Sequence, residues 1–253
     1  MNFPSRTPLR LAVALCASVL AVHATETDDR IIATARSSYN FKTYLADDKI
    51  NIVAKNGAVT LTGQVLDELH RSLAEETLAG LPGVKSVNNQ LNLQARTGGI
   101  TPDGTLQAKV QAALLFHRNL SALKTKVEVD QGVVTLQGEA GSEAQKKLAT
   151  EYVKGLDGVV RVVNEMTVAG DHPRRKAIRV KIDDASITAQ VKLALLFNRA
   201  TSALHTKVAT EHGVVHLSGT ARSKAEKNLV TRIVRNIEGI KSVRNTMMVV
   251  PGS

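Results

Sequence analysis

The sequence predicts an α+β fold of three tandem αββαβ modules, each a small three-stranded mixed sheet with two helices on one face. Three observations predict this fold. One pattern of glycines and an asparagine is written three times without insertion or deletion. Within each copy, apolar residues recur first at helical and then at alternating spacing. The copies cover most of the 253 residues, so each unit is close to the lower size limit for independent folding.

Four marks define the repeat and keep the same spacing in every copy. One glycine opens a short apolar run, a second ends it, a third precedes a β-branched residue, and an asparagine follows. The marks are Gly57, Gly63, Gly83 and Asn89 in copy one, Gly132, Gly138, Gly158 and Asn164 in copy two, and Gly213, Gly219, Gly239 and Asn245 in copy three. Such self-similarity indicates a tandem array of one small fold.

The first half of each copy predicts a helix followed by a hairpin. Apolar residues from Leu106 to Leu120 recur at helical spacing, and alternating residues around the turn at Gly132 then predict two strands. In copy one the turn is Asn56-Gly57, a pair that readily adopts the positive φ of tight hairpins. The helix of copy one, from about Ile31 to Tyr44, has smaller residues on its core face. We therefore expect copy one to depend on its neighbours.

The second half of each copy predicts a helix and a third strand. The N-cap signals are Asp67 in copy one, Ser142 with Gln145 in copy two, and Ser223 with Glu226 in copy three. Gly158 follows the copy-two helix where a left-handed C-cap would end it. The link between the second and third strands is long enough for them to run parallel.

The chain begins with a segment typical of secretory signals. Arg6 and Arg10 precede a short apolar stretch, and the small residues at Val22 and Ala24 suit signal peptidase. Cys16 offers an alternative because residues 13–16 resemble a lipobox, but bulky Leu15 disfavours lipidation. We predict a signal peptide at 1–24, modules at 29–94, 103–169 and 184–250, and linkers at 95–102 and 170–183. The expected product is a soluble periplasmic protein without disulfides.

The charge of the chain favours anionic partners. The net charge is +10, and removal of residues 1–24 takes away two arginines and no acid, which leaves +8. In a bacterial envelope the anionic partners are phospholipid headgroups, lipopolysaccharide or peptidoglycan, and nucleic acid is not expected. A charge of this size spread over three modules also fits ordinary solubility. Aromatic residues make up 3% of the chain, which leaves little surface for stacking on sugars or bases.

Several of these motifs together resemble a known family. They are the Gly-Val-Val-x-Leu-x-Gly hairpin at Gly132 to Gly138 and Gly213 to Gly219, the Gly-Val or Gly-Ile before the last strand, and the Val-x-Asn near its start. The combination resembles the BON domain, named for bacterial OsmY and nodulation proteins. The resemblance implies a periplasmic or envelope protein associated with osmotic or other envelope stress, with modules that attach to phospholipid membranes. It brings no catalytic motif.

The residues themselves predict no catalytic site, cofactor or metal site. His212 and His216 are four residues apart, but a glycine turn separates them, so they lack the helical geometry of a zinc pair. Threonines replace His216 in the other copies, which favours surface histidines. The recurring asparagines could form a ligand-binding ring. Bonding of their side chains to nearby backbone explains the recurrence better.

A candidate membrane surface lies on the first helix of copies two and three. At 100° per residue, Leu115 lies opposite the core stripe, with Phe116 on its margin and Lys109 and Arg118 at the flanks. Copy three repeats the arrangement with Lys192, Leu196, Phe197 and Arg199. Apolar residues beside basic ones suit the headgroup boundary of a membrane. The alternative is packing between neighbouring modules, which would bury the same residues.

A second candidate contact is the basic run in the linker before copy three. It consists of Arg174, Arg175, Lys176, Arg179 and Lys181. These residues suit contact with phosphate groups, or they keep a solvated linker extended. Our leading hypothesis is a non-enzymatic periplasmic stress protein that binds anionic phospholipid surfaces weakly through tethered modules. The alternative is a periplasmic protein-binding adaptor or chaperone that uses sheet edges or helix faces.

Overall fold

The computed structural model describes residues 16–94, 101–120, 125–168, 181–198, 200–201 and 205–250, and their side chains from residue 26 onward. Module 1 contains α1 (Cys16–Ser37), α2 (Tyr39–Thr43), β1 (Lys49–Lys55), β2 (Ala58–Val65), α3 (Glu68–Ala79) and β3 (Ser86–Leu93). Module 2 contains α4 (Pro102–Phe116), β4 (Thr125–Asp130), β5 (Val133–Ala140), α5 (Glu143–Lys154), β6 (Arg161–Asn164) and β7 (Thr167–Val168). Module 3 contains α6 (Asp184–Leu196), β8 (Thr206–Glu211), β9 (Val214–Ala221), α7 (Lys224–Arg235), β10 (Ser242–Asn245) and β11 (Met248–Val249).

Each module has the predicted mixed sheet. The second strand is central and runs antiparallel to the first strand and parallel to the third, in the orders β1-β2-β3, β4-β5-β6 and β8-β9-β10. In modules 2 and 3 the third strand continues as β7 and β11. At the first hairpin, Asn56 has a φ of 55° and Gly57 a φ of 82°, as the turn pair predicts. The α+β fold of three tandem modules is confirmed.

The N-caps of the second helices are confirmed as well. The side chains of Asp67, Ser142 and Ser223 accept hydrogen bonds from the backbone N–H three residues later, at 3.0, 3.1 and 3.1 Å. The Gln145 side chain reaches back to the N–H of Gly141 at 2.5 Å. The caps satisfy N–H groups that the first helical turn leaves without partners, and the Gln145 contact satisfies the N–H of the residue before the N-cap.

Several helix bounds differ from the predictions: α1 begins at Cys16 and not near Ile31, and α4 ends at Phe116 and not at Leu120. The single helix expected from Ile31 to Tyr44 is broken at Ser38, whose hydroxyl donates to the carbonyl of Ala35 at 2.7 Å while its backbone is extended. A serine that bonds its local backbone competes with helix continuation, which explains the break. In module 2, α5 ends at Lys154, and Gly155 caps it with a right-handed backbone. Gly158 has a φ of 91° but lies in the turn that follows.

The apolar core crosses module boundaries. One buried cluster contains Leu61 of module 1 and Leu217 of module 3, together with Phe116 of module 2, and a second cluster around Leu136 fills module 2. Ten of the thirteen residues of α6 are buried, so α6 is shared between its own module and module 1. Module 1 therefore completes its core with its neighbours, as its weaker first helix predicts.

Candidate functional site

The two outward leucines of the predicted membrane surface have different surroundings. Leu196 is 55% exposed at the end of α6. Leu115, its counterpart 81 residues earlier, is half-buried and lines a cavity of about 160 Å³ between modules 1 and 2. Leu66 and His70 of module 1 line the same cavity. Module 1 thus lies over the leucine of module 2 and leaves the leucine of module 3 open.

The two phenylalanines beside these leucines lie at contacts between elements. Phe116 is 1% exposed, and its ring centre lies 5.6 Å from that of Tyr44 in module 1. A position on the margin of a surface was expected from helical geometry alone, and Tyr44 buries the ring instead. Phe197 is half-buried and packs on the large core cluster. Both therefore contribute to packing in this arrangement of modules.

Most of the predicted basic residues that the structure describes pair within the protein. Lys192 contacts Glu76 of module 1 at 2.7 Å, and Lys109 contacts Asp157 at 3.8 Å. Lys181 is exposed. Arg118 donates to the carbonyls of Ile237 and Ile240 at 2.9 and 3.1 Å. Arg174, Arg175, Lys176, Arg179 and Arg199 lie outside the described residues.

Modules 2 and 3 contact each other through reciprocal segments. The N–H of Glu238 donates to the carbonyl of Phe116 at 3.0 Å, and the N–H of Asp157 donates to the carbonyl of Phe197 at 3.3 Å. The two donors are 81 residues apart, and so are the two acceptors. Two antiparallel β-bridges repeat this symmetric pairing: His117 pairs with Ile237, and Asn198 pairs with Leu156. We call this contact the module 2–3 junction; it has the geometry of an isologous dimer interface within one chain.

Module 1 lacks the backbone donor that a junction of this kind requires. The position of Asp157 and Glu238 is occupied by Pro82, which has no N–H to donate. The segment that corresponds to His117 lies in α2, and its residue Lys42 is exposed. Module 1 therefore uses a different surface to join the other two modules.

That surface is a polar contact between module 1 and α6. Asn40 is fully buried and donates through its amide to Thr77 Oγ1 at 2.8 Å, while Gln190 donates to Asn40 Oδ1 at 2.8 Å. The N–H of Tyr39 donates to Asp183 Oδ2 at 2.7 Å. Buried amides with defined partners fix the register of two packed elements because any slip leaves a polar group without a partner.

His117 lies in the module 2–3 junction. Its side chain is covered by Tyr152, with ring centres 4.8 Å apart, and the residue is 2% exposed. Burial, together with the adjacent charge of Arg118, lowers the pKa of His117 to about 4. The imidazole is therefore neutral at neutral pH.

Comparison with known families agrees with this threefold architecture. Residues 27–95, 102–170 and 183–251 each match the family model described as the BON domain. The chain belongs to the BON domain family. Each of the three modules is a BON module, as the repeated motifs predicted.

Three curated proteins illustrate the similarity. Osmotically-inducible protein Y of Escherichia coli is 33% identical over 163 residues, which cover 64% of this chain and 79% of that protein. Outer membrane lipoprotein DolP of Haemophilus influenzae is 31% identical over 148 residues, 58% of this chain and 74% of that protein. The 21 kDa hemolysin of Actinobacillus pleuropneumoniae is 30% identical over 148 residues, 55% and 75% of the respective chains.

The recurring asparagine has a structural role in every BON module. Asn89, Asn164 and Asn245 each donate to a carbonyl of the second helix, at 3.1, 2.9 and 3.1 Å. Each also accepts the N–H two residues later, at 3.2, 3.0 and 3.0 Å. This confirms the interpretation that the side chain bonds local backbone, and it ties the third strand to the second helix.

A recurring aspartate has an equally regular role, although none of the predicted motifs included it. Asp28, Asp103 and Asp184 lie 29 residues before the hairpin glycine and accept its N–H at 2.9, 3.0 and 2.8 Å. Each also accepts the N–H of the preceding turn residue. The constant spacing was the signal that could have revealed this contact. Through it, the first helix of each BON module holds the hairpin turn.

Metal-binding side chains do not cluster in the described part of the BON modules. No group of three or more His, Cys, Asp or Glu residues is arranged there to hold a metal ion. His212 is exposed in the third hairpin turn with a φ of 51°, and His216 lies on the adjoining strand β9. None of the described helices combines the length and apolar character that a membrane span requires.

Proposed function

We propose that this protein is a non-enzymatic periplasmic protein of the envelope stress response that binds anionic phospholipid surfaces. Its relatives include an osmotically inducible protein and an outer membrane lipoprotein, which supports an envelope role. The net charge of +8 that remains from +10 without the two arginines of residues 1–24 supports attraction to anionic headgroups. The observation that carries the proposal is the exposure of Leu196, which is 55% accessible at the end of a helix with basic neighbours in sequence.

The arrangement of modules makes the proposed attachment unequal among the three. Leu196 of module 3 is free to enter the headgroup boundary, where apolar burial and charge attraction add. Leu115 of module 2 faces module 1 across the shared cavity. We therefore assign the main contact to module 3 and to the linker that precedes it, with exposed Lys181 and the basic residues Arg174, Arg175, Lys176 and Arg179.

A vesicle-binding experiment with paired leucine variants tests this assignment. The mature chain is sedimented with vesicles of phosphatidylglycerol and phosphatidylcholine, and with phosphatidylcholine alone. Leu196→Ser should weaken binding to anionic vesicles about fivefold, because burial of roughly half a leucine contributes about 1 kcal/mol. Leu115→Ser should leave binding unchanged and lower stability instead. Equal weakening by both variants would contradict the assignment to module 3.

Charge reversal tests the electrostatic part of the proposal. Arg174, Arg175 and Lys176 are replaced by Glu in one variant. The matched control replaces Lys49, Lys55 and Lys85, which are exposed on module 1, so that both variants have the same net charge. We expect the linker variant to bind anionic vesicles more weakly than the control. Wild-type binding that neither rises with anionic lipid nor falls with salt would refute the mechanism.

A second function, as a protein-binding adaptor or chaperone, is favoured by one observation. Met248 and Val249 on strand β11 are 67% and 42% exposed, so module 3 presents apolar residues at a sheet edge. A partner strand could pair with such an edge. Crosslinking in envelope extracts distinguishes the two functions. A stoichiometric protein partner lost in Met248→Ser and unaffected by removal of lipid would favour the adaptor.

A further inference from the structure

His117 has an unusual set of contacts for a buried histidine. Its Nδ1 accepts the backbone N–H of Asn119 at 3.2 Å. Its Nε2 is buried and has no hydrogen-bond partner among the residues that the structure describes. Because Nδ1 is an acceptor, the proton of the neutral ring is on Nε2. A second proton would have to bind Nδ1, where it would break the bond from Asn119.

The surroundings of His117 also oppose a positive charge. Arg118 follows it directly and is held by its two carbonyl acceptors in module 3. Tyr152 of α5 packs its ring against the imidazole. The carboxylates of the facing segments, Asp157 and Glu238, belong to exposed residues. In the described part of the chain, no buried carboxylate compensates a charge on His117.

Module 3 contains a natural comparison at the corresponding position. Asn198 lies 81 residues after His117 and forms the matching bridge across the junction. Its Oδ1 accepts the N–H of Ala200 at 3.0 Å, the same bond to the residue two positions later. In each module this side chain therefore orders the segment that forms the bridge, and the acceptor is titratable in module 2 and a neutral amide, which acid does not change, in module 3.

We propose that His117 is an acid-sensitive latch that holds modules 2 and 3 together when neutral and releases their junction when protonated. Release would free the carbonyl of Phe116 and the segment around Ile237. Pairing of modules 2 and 3 through this latch does not depend on lipid binding.

The direction of the pH effect follows from the two states of the junction. In the closed junction the pKa of His117 is lowered to about 4, whereas a released side chain regains a value near 6.5. The open state therefore binds the proton more tightly, and the closed state is favoured above pH 6.5 and loses its advantage as the pH falls toward 4. These two pKa values lower the ratio of closed to open junction about 20-fold from pH 7 to pH 5.

Amide hydrogen exchange of the full mature chain tests the latch. The N–H groups of Arg118 and Glu238 donate across the junction, to the carbonyls of Asn236 and Phe116. We expect their protection, corrected for intrinsic exchange, to fall about 20-fold from pH 7 to pH 5. The N–H of Leu91 in β3, which Asn89 holds within module 1, is the internal reference and should change little.

The chain supplies its own matched variant. His117→Asn introduces the residue that module 3 uses and keeps an acceptor for Asn119. Its junction amides should keep the same protection at both pH values. Equal loss of protection in wild type and variant, or no loss in wild type, would overturn the latch. If the variant does not fold, NMR of the unmodified chain decides: loss of the junction contacts around His117 as its ring takes up a proton supports the proposal, and a ring that titrates with these contacts intact refutes it.

Discussion

Replacement of Asp28 should destabilise module 1 far more than replacement of its neighbour Asp29. The Asp28 carboxylate accepts the N–H groups of Asn56 and Gly57 at 2.7 and 2.9 Å, and the residue is 8% exposed. Hydrogen bonds to a charged acceptor contribute about 1.5 to 3 kcal/mol each. Asp28→Ala removes both and leaves two turn N–H groups without their acceptor. We expect a loss of about 3 kcal/mol in the free energy of unfolding.

The comparison with Asp29→Ala isolates this contact. Asp29 is exposed, so its replacement changes the net charge equally but should cost less than about 0.5 kcal/mol. Urea unfolding followed by circular dichroism measures both variants, and hydrogen exchange of the Asn56 and Gly57 amides locates the effect. If the free energies of unfolding of the two variants differ by less than about 0.5 kcal/mol, Asp28 does not hold the hairpin turn. The same result would weaken the corresponding inference for Asp103.

Three further substitutions follow from buried contacts. Phe116→Ala should cost about 3 to 5 kcal/mol in urea unfolding, since it empties a site between modules 1 and 2. Asn89→Ala should cost about 2 kcal/mol, whereas exposed Asn88→Ala should have almost no effect, and similar losses would contradict the strand-to-helix tie. Wild-type stability should fall by up to about 3 kcal/mol as the pH drops from 6.5 toward 4, because the unfolded chain takes up the His117 proton first. His117→Asn should flatten the pH dependence of stability over this range. An unchanged profile would contradict the assignment of this pH dependence to His117.

The order of elements within a module could be predicted because local signals repeat. The turn at Asn56, the caps at Ser142 and Ser223 and the alternating apolar residues all act over a few positions, and three copies confirm one another. The break at Ser38 is also local, but the surrounding apolar spacing continues through it. A serine at a helix interior and a serine at a helix end look alike in sequence until the extended backbone is seen.

The arrangement of the modules could not be read in the same way. Leu115 and Leu196 occupy the same position of the repeat, and only the location of module 1 makes one half-buried and the other exposed. Phe116 illustrates the same limit, since helical geometry places it at a margin and Tyr44 covers it from another module. Packing between repeats depends on residues far apart in the chain, so the periodicity of one helix carries no information about it.

Pro82 restricts how three similar modules assemble after synthesis. A chain with three look-alike modules has three ways to pair two of them, and errors of this kind are characteristic of repeat proteins. Pairing of module 1 with either neighbour in the reciprocal manner would leave a phenylalanine carbonyl without its donor. Pro82 therefore disfavours this kind of misassembly. Module 1 packs against α6, and modules 2 and 3 pair with each other.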